Sequence, residues 1–256
     1  MSDGTAAPWG AIAAGLLPFF STYLEPDEVD RNLALVAAAR SHPVNAANSW
    51  EKSAVDYAEA HVLMAGGRFD DAMIACLRAH ADVNADAYFA TLCVGLLLVA
   101  RHLAGQHARA AAAADEVLAE VPDLPGRYAD LSISSSASVA LAGAGGLVRS
   151  RHLVRVQLDV LARRYAHIHT AAGIPLVNAA VLLALDGQPE RATVVLGAIG
   201  RHAMHMRWEG SFALFRAYST RLHTELGDDV FLACLAESEA LTVDDLLAIA
   251  HEVAAG

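Results

Sequence analysis

Apolar and alanine positions recur three and four residues apart through most of the chain. They fall in segments of about 12 to 20 residues, the repeat of one helix face. Breakers stand between the segments: Pro26, Pro43, Gly66-Gly67, Gly105, Pro122 with Pro125-Gly126, Gly145-Gly146, Gly173 with Pro175, Gly187 with Pro189, and Gly227. No stretch alternates apolar with polar in β-branched residues, so strands are not expected. The pattern predicts an all-α chain of about thirteen helices, joined by short turns and packed antiparallel on their neighbours.

Three of the turns are alike. Gly67-Arg68-Phe69-Asp70-Asp71-Ala72, Gly105-Gln106-His107-Ala108-Arg109-Ala110 and Gly187-Gln188-Pro189-Glu190-Arg191-Ala192 each place a glycine five residues before an alanine. The glycine can end one helix in the left-handed region, and the alanine is small enough for the next helix to approach closely. A further small or apolar residue follows seven positions on, at Ala79, Val117 and Ile199. These units resemble the tetratricopeptide repeat, loosely, because its early tryptophan and glycine are missing and Gly67 to Gly105 exceeds its period of about 34. The resemblance implies an α-solenoid of stacked antiparallel helix pairs, a single domain over residues 1–256. One helix supports stacking by itself: Leu153, Val154, Val156, Leu158, Val160, Leu161 and Tyr165 cover an arc of roughly 200°, wider than the outside of a simple bundle needs.

Composition narrows the function classes. Eighteen Lys and Arg against 29 Asp and Glu give a net charge of −11, which repels a phosphate backbone, so no direct nucleic-acid binding is expected. Hydrophobic residues at 55% exclude a disordered chain. The three cysteines, Cys76, Cys93 and Cys234, are too few and too scattered for a disulfide framework or a cysteine zinc site, which points to a reducing cytoplasm. No basic residue precedes the apolar stretch Ala11–Phe20, and the run Leu92–Ala100 is too short to span a bilayer, so neither a signal peptide nor a membrane partner is expected. Lys52 is the sole lysine and follows Glu51, so the Gly-Lys-Ser/Thr of a P-loop is absent.

The segment Leu183–Ala192, continuing to Leu196-Gly197-Ala198, is similar to the closing helical repeat of bacterial STAND-class signal-transduction ATPases, the LuxR-type and cyclase-linked regulators. Leu226–Phe231 and Ala240–Asp245 match how such proteins finish their helical region, with Thr242 and Asp245 as a capping pair for the last helix. Leu16–Phe20 followed by Pro26–Arg40 is similar to the first helix pair of that region. The resemblance is strongest from Pro175 onward. It implies a sensor or scaffold segment separate from the ATPase and DNA-binding domains, and it carries over no catalytic residue.

The chemistry-bearing residues leave few openings. His202 and His205 share a helix face and could supply two metal ligands, with Glu209 and His223 the nearest further candidates. His167 and His169 point apart. Otherwise such histidines cap helix ends or face solvent, and no metal or other cofactor is expected. The serines of Ser132–Ser138 lack a nucleophile elbow and suit a close-packed helix face. The pairs Asp70-Asp71, Asp228-Asp229 and Asp244-Asp245 open helices, where the dipole favours negative charge.

Two features are candidates for partner binding. Arg149, Arg151, Arg155, Arg163 and Arg164 crowd one helix opposed only by Asp159, with Arg151, Arg155 and Arg163 near one polar edge. Such a stripe either meets an acidic partner, a nucleotide or a phosphorylated ligand, or is paired to acids of a neighbouring helix. Asn178, inside the apolar run Ile174–Leu185, either bonds a neighbouring backbone or reads a ligand. The expected function is a non-enzymatic protein-interaction or regulatory scaffold, its partner a protein or peptide of acidic character or another copy of the chain. The alternative is a small-molecule sensor with a pocket between repeats.

Overall fold

The computed structural model describes residues 28–42, 49–81, 87–120, 128–165, 172–202 and 209–256. Among them stand eleven α-helices and no strand, so the all-α expectation holds. The expected helix at Leu16–Phe20 lies outside the described residues, as do His167, His169 and His205. No helix among the described residues is long and apolar enough to cross a membrane. The chain divides into two compact units, Met1–Ala100 and Arg101–Gly256.

The first unit contains α1 (Val29–Ser41), α2 (Ser49–Ala65), α3 (Phe69–Ala81) and most of α4 (Ala87–Leu103). Helix α2 packs against both α1 and α3. Val36 and Ala39 of α1 meet Val55 and Val62 of α2, with Val29 and Leu33 at the margin. Burying each of the valines contributes about 1.5–3 kcal/mol.

The second unit holds α5 (His107–Glu120), α6 (Tyr128–Gly143), α7 (Leu147–Val160), α8 (Gly173–Leu185), α9 (Pro189–Arg201), α10 (Glu209–Ser238) and α11 (Val243–Ala255). A π-type turn, Leu161–Tyr165, extends α7. Helix α8 is the centre, touching α6, α7, α9, α10 and α11. Every residue from Gly173 to Leu183 is buried, which is why this helix is apolar all round. Its neighbours need only one apolar face each. The final helix opens on the expected cap: Thr242 Oγ1 accepts from the Asp245 amide, and the Thr242 amide donates to Asp245 Oδ2 at 2.9 Å. The pair Asp228-Asp229 follows Gly227, whose non-helical backbone (φ +74°) divides the long α10, so it opens the second helical segment as expected.

The repeated turn is built the same way each time. Gly67, Gly105 and Gly187 have φ between +72° and +75°, where a side chain would be strained. The next amide (Arg68, Gln106, Gln188) donates to the carbonyl five residues before it (Leu63, Arg101, Leu183), which closes the helix end. The alanine that follows (Ala72, Ala110, Ala192) is wholly buried. The sequence pattern missed a fourth copy. Gly145 has φ +86°, Gly146 donates to Leu141, and the small residue five positions on is Ser150 in place of alanine. Ser150 is also fully buried and meets Ser138, with their hydroxyls 2.7 Å apart. The serines of α6 therefore make a close helix contact, the role their size suggested.

Candidate functional site

The proposed arginine edge on α7 does not converge on one place. Arg151 donates to Asp186 at 2.8 Å and is about one-quarter exposed. Arg155 reaches the carbonyl of Ala254 at 2.6 Å and so caps the end of α11. Arg163 bonds back to the Asp159 carbonyl of its own helix, and Arg149 pairs with Asp115. Arg151 does line a small pocket of about 180 Å³ with Asp186, Arg191 and Glu252, above Leu182, Leu183 and Val253. Arg191 and Glu252 are themselves paired at 3.0 Å.

Asn178 is fully buried, and its partners come from two other helices. Its amide donates to Ser135 Oγ at 3.0 Å and to Gln157 Oε1 at 3.1 Å, while the Ser135 hydroxyl donates to Asn178 Oδ1 at 3.2 Å. This network ties α6, α7 and α8 together, and it occupies the polar atoms a ligand would need.

Among the described residues, no three His, Cys, Asp or Glu side chains are grouped to hold a metal ion. His202 bonds the Leu241 carbonyl, and His223 pairs with Asp228 at 2.7 Å. A different histidine pair is the unusual one. His102 is buried at the end of α4, its ring stacked on Tyr218 with Nε2 2.8 Å from the phenol oxygen. His107 lies beside it, ring centroids 5.1 Å apart, and Nδ1 of each ring is buried without a hydrogen bond. A Cβ at Gly143 would collide with both of these atoms, so a glycine there is what lets the rings approach α6. Burial, then the charges of His107 and Arg221, lowers the His102 pKa to about 4. Burial likewise raises Tyr218 to about 12, opposed by Arg221. Both charged groups that shift His102 are cationic, so a proton there is repelled.

A second charged surface site is in the first unit, and sequence inspection did not find it. Arg40 in the last turn of α1 and Arg78 in the last turn of α3 both reach across to α2. Arg40 donates to Asp56 at 2.6 Å and to Glu59 at 2.7 Å. Arg78 also donates to Glu59 and lies 3.6 Å from Asp56. The carboxylates sit behind, with Asp56 only 8% exposed, whereas the two arginines are 42% and 49% exposed. Burial opposes the charge on Arg40, but hydrogen bonds and charge from Glu59 and then Asp56 outweigh it and raise its pKa. Lys52, one turn into α2, joins Arg40, Asp56, Arg78 and Ala81 around an open pocket of about 510 Å³. The signal available in the sequence was the pair of helix-ending arginines, but their convergence depends on three helices packing together.

No protein-family model, curated protein or solved structure matches this chain.

Proposed function

We propose that the protein is a non-enzymatic interaction module, a stacked array of helix pairs serving as a scaffold or sensor segment like that of the regulators its sequence resembles. The carrying observation is the turn built four times over, at Gly67, Gly105, Gly145 and Gly187, each followed by a buried small residue. Regular stacking of such pairs creates extended surfaces suited to polypeptide partners. A second reading, a small-molecule sensor, is favoured by the pocket of about 180 Å³ around Arg151, Asp186, Arg191 and Glu252, whose opposed charges over an apolar floor suit a small zwitterion.

Photo-crosslinking of the full chain in an extract of its own cells, followed by mass spectrometry of the adducts, separates the two. The interaction reading expects adducts with defined polypeptides. Adducts of metabolite mass alone would overturn it in favour of the sensor.

A further inference from the structure

We infer that His102 and His107 form a binding site for one Cu(I) ion, held by Nδ1 of each ring. The two histidines stand on either side of the Gly105 turn, His102 in the last turn of α4 and His107 at the start of α5. Their ring centroids are 5.1 Å apart, and neither Nδ1 has a hydrogen-bond partner although both atoms are buried. A nitrogen buried in that way costs stability unless something bonds to it. Both nitrogens face the same spot on α6. A Cβ built on Gly143 would lie 2.4 Å from Nδ1 of His102 and 2.9 Å from Nδ1 of His107, so a glycine is what keeps that spot clear.

Distance favours a metal ion over a water molecule between the rings. A water must stand about 2.8–3.0 Å from each nitrogen. A bare first-row ion bonds imidazole at about 2 Å, and so needs less room between two nitrogens already closed to solvent. His102 is also oriented as a metal ligand is. Its Nε2 lies 2.8 Å from the Tyr218 phenol oxygen, and with the proton on Nε2 donated there, Nδ1 presents its lone pair to the gap. Burial keeps Tyr218 a phenol, with its pKa pushed up to about 12. His102, lowered to about 4, carries no competing proton at neutral pH. His107 is half-buried, which gives an ion a way in.

Charge and ligand number select the metal. Among the described residues no further His, Cys, Asp or Glu joins the pair, and Arg221 stands over the Tyr218 ring, 5.7 Å from its centroid. Zinc would seek four ligands and bring two charges into these cationic surroundings. Cu(I) is a closed-shell ion that accepts two nitrogens in line, brings a single charge, and bonds well to imidazole. A proton meets the same repulsion but bonds only one ring, whereas the ion bonds both.

The test titrates the full chain, isotopically labelled at its histidine ring nitrogens, with Cu(I) under anaerobic conditions, using bicinchoninate to buffer the free ion. The three cysteines also attract Cu(I), so the readout must see histidine directly. Cu(I) is diamagnetic, and the labelled nitrogens stay visible by NMR. One equivalent should move the Nδ1 signals of two of the twelve histidines, and His107→Gln should abolish both shifts. Gly143→Ala keeps every ligand but drives the rings apart, and should weaken uptake at least about tenfold. Tyr218→Phe should weaken it about tenfold by releasing the His102 ring. Far-ultraviolet circular dichroism checks that each variant is folded, and the wild type with His107→Gln decides the matter even if the other two are not.

Copper taken up by sulfur alone, seen as copper–sulfur scattering in X-ray absorption with unmoved histidine signals, overturns the inference. Shifts that survive in His107→Gln overturn it too. Movement of the same two signals by Zn(II) at a lower free concentration than Cu(I) requires overturns the choice of ion.

Discussion

Acid should destabilise this protein well above the pH at which carboxylates titrate, and His102 is the sharpest place to test it. The ring is 3% exposed, stacked on Tyr218, and next to His107 and Arg221. Its folded pKa of about 4 lies below the ordinary 6.5, so between those values the unfolded chain binds the proton and the folded chain does not. Stability from this group is complete above pH 6.5 and is lost as pH falls toward about 4. The full linkage is about 3 kcal/mol, of which about 2.5 kcal/mol is lost by about pH 4.5. His61 adds a similar loss in the first unit, since burial alone lowers it to about 3.

The assay is urea unfolding followed by far-ultraviolet circular dichroism at several pH values between about 7.5 and 4.5, on wild type and His102→Gln. Glutamine keeps a polar group near Tyr218 but cannot take the proton. The variant should start lower at neutral pH and lose about 2.5 kcal/mol less on acidification. An equal loss in the two proteins would refute the assignment of that pH dependence to His102.

Three further outcomes follow from the packing. Asn178→Ala should cost about 2–4 kcal/mol, because it strands Ser135 and Gln157 inside the helix stack; a shift in melting temperature near zero would show the network carries no stability. Arg151→Gln with Arg155→Gln should lower stability by about 1–3 kcal/mol, more than an exposed pair gives, because one is partly buried on Asp186 and the other caps α11; an unchanged thermal melt would return these arginines to the role of a recognition edge. The buried thiols Cys76 and Cys93 should resist a thiol reagent until the chain unfolds, since hydrogen bonding between them and then burial raise the Cys76 pKa well above its ordinary value; stoichiometric labelling of the native protein at neutral pH would contradict this.

Features written within a few consecutive residues are legible in the amino-acid sequence itself. A glycine followed five residues later by alanine marks three of the four closing turns, and Thr242 with Asp245 marks the last helix start. The fourth turn escapes that pattern because Ser150 stands where alanine does elsewhere. Only its pairing with Ser138 shows that smallness, rather than the methyl group, is the requirement. The wide apolar arc of α7 is also readable, since Leu153, Val154, Leu158, Val160 and Leu161 are all buried.

What a side chain does once helices pack is decided elsewhere in the chain. Asn178 could be a structural or a ligand-reading residue until Ser135, 43 positions away, and Gln157, 21 away, took its hydrogen bonds. The arginines of α7 look like one stripe on a wheel, yet carbonyls and acids from different elements draw them apart. Arg40, Lys52 and Arg78 look unrelated in the sequence and meet at one pocket. A turn depends on dihedral angles and hydrogen bonds among about six neighbouring residues, so its code is local. The fate of a charge depends on which charges surround it, and for this chain only the packing of its helices determined that.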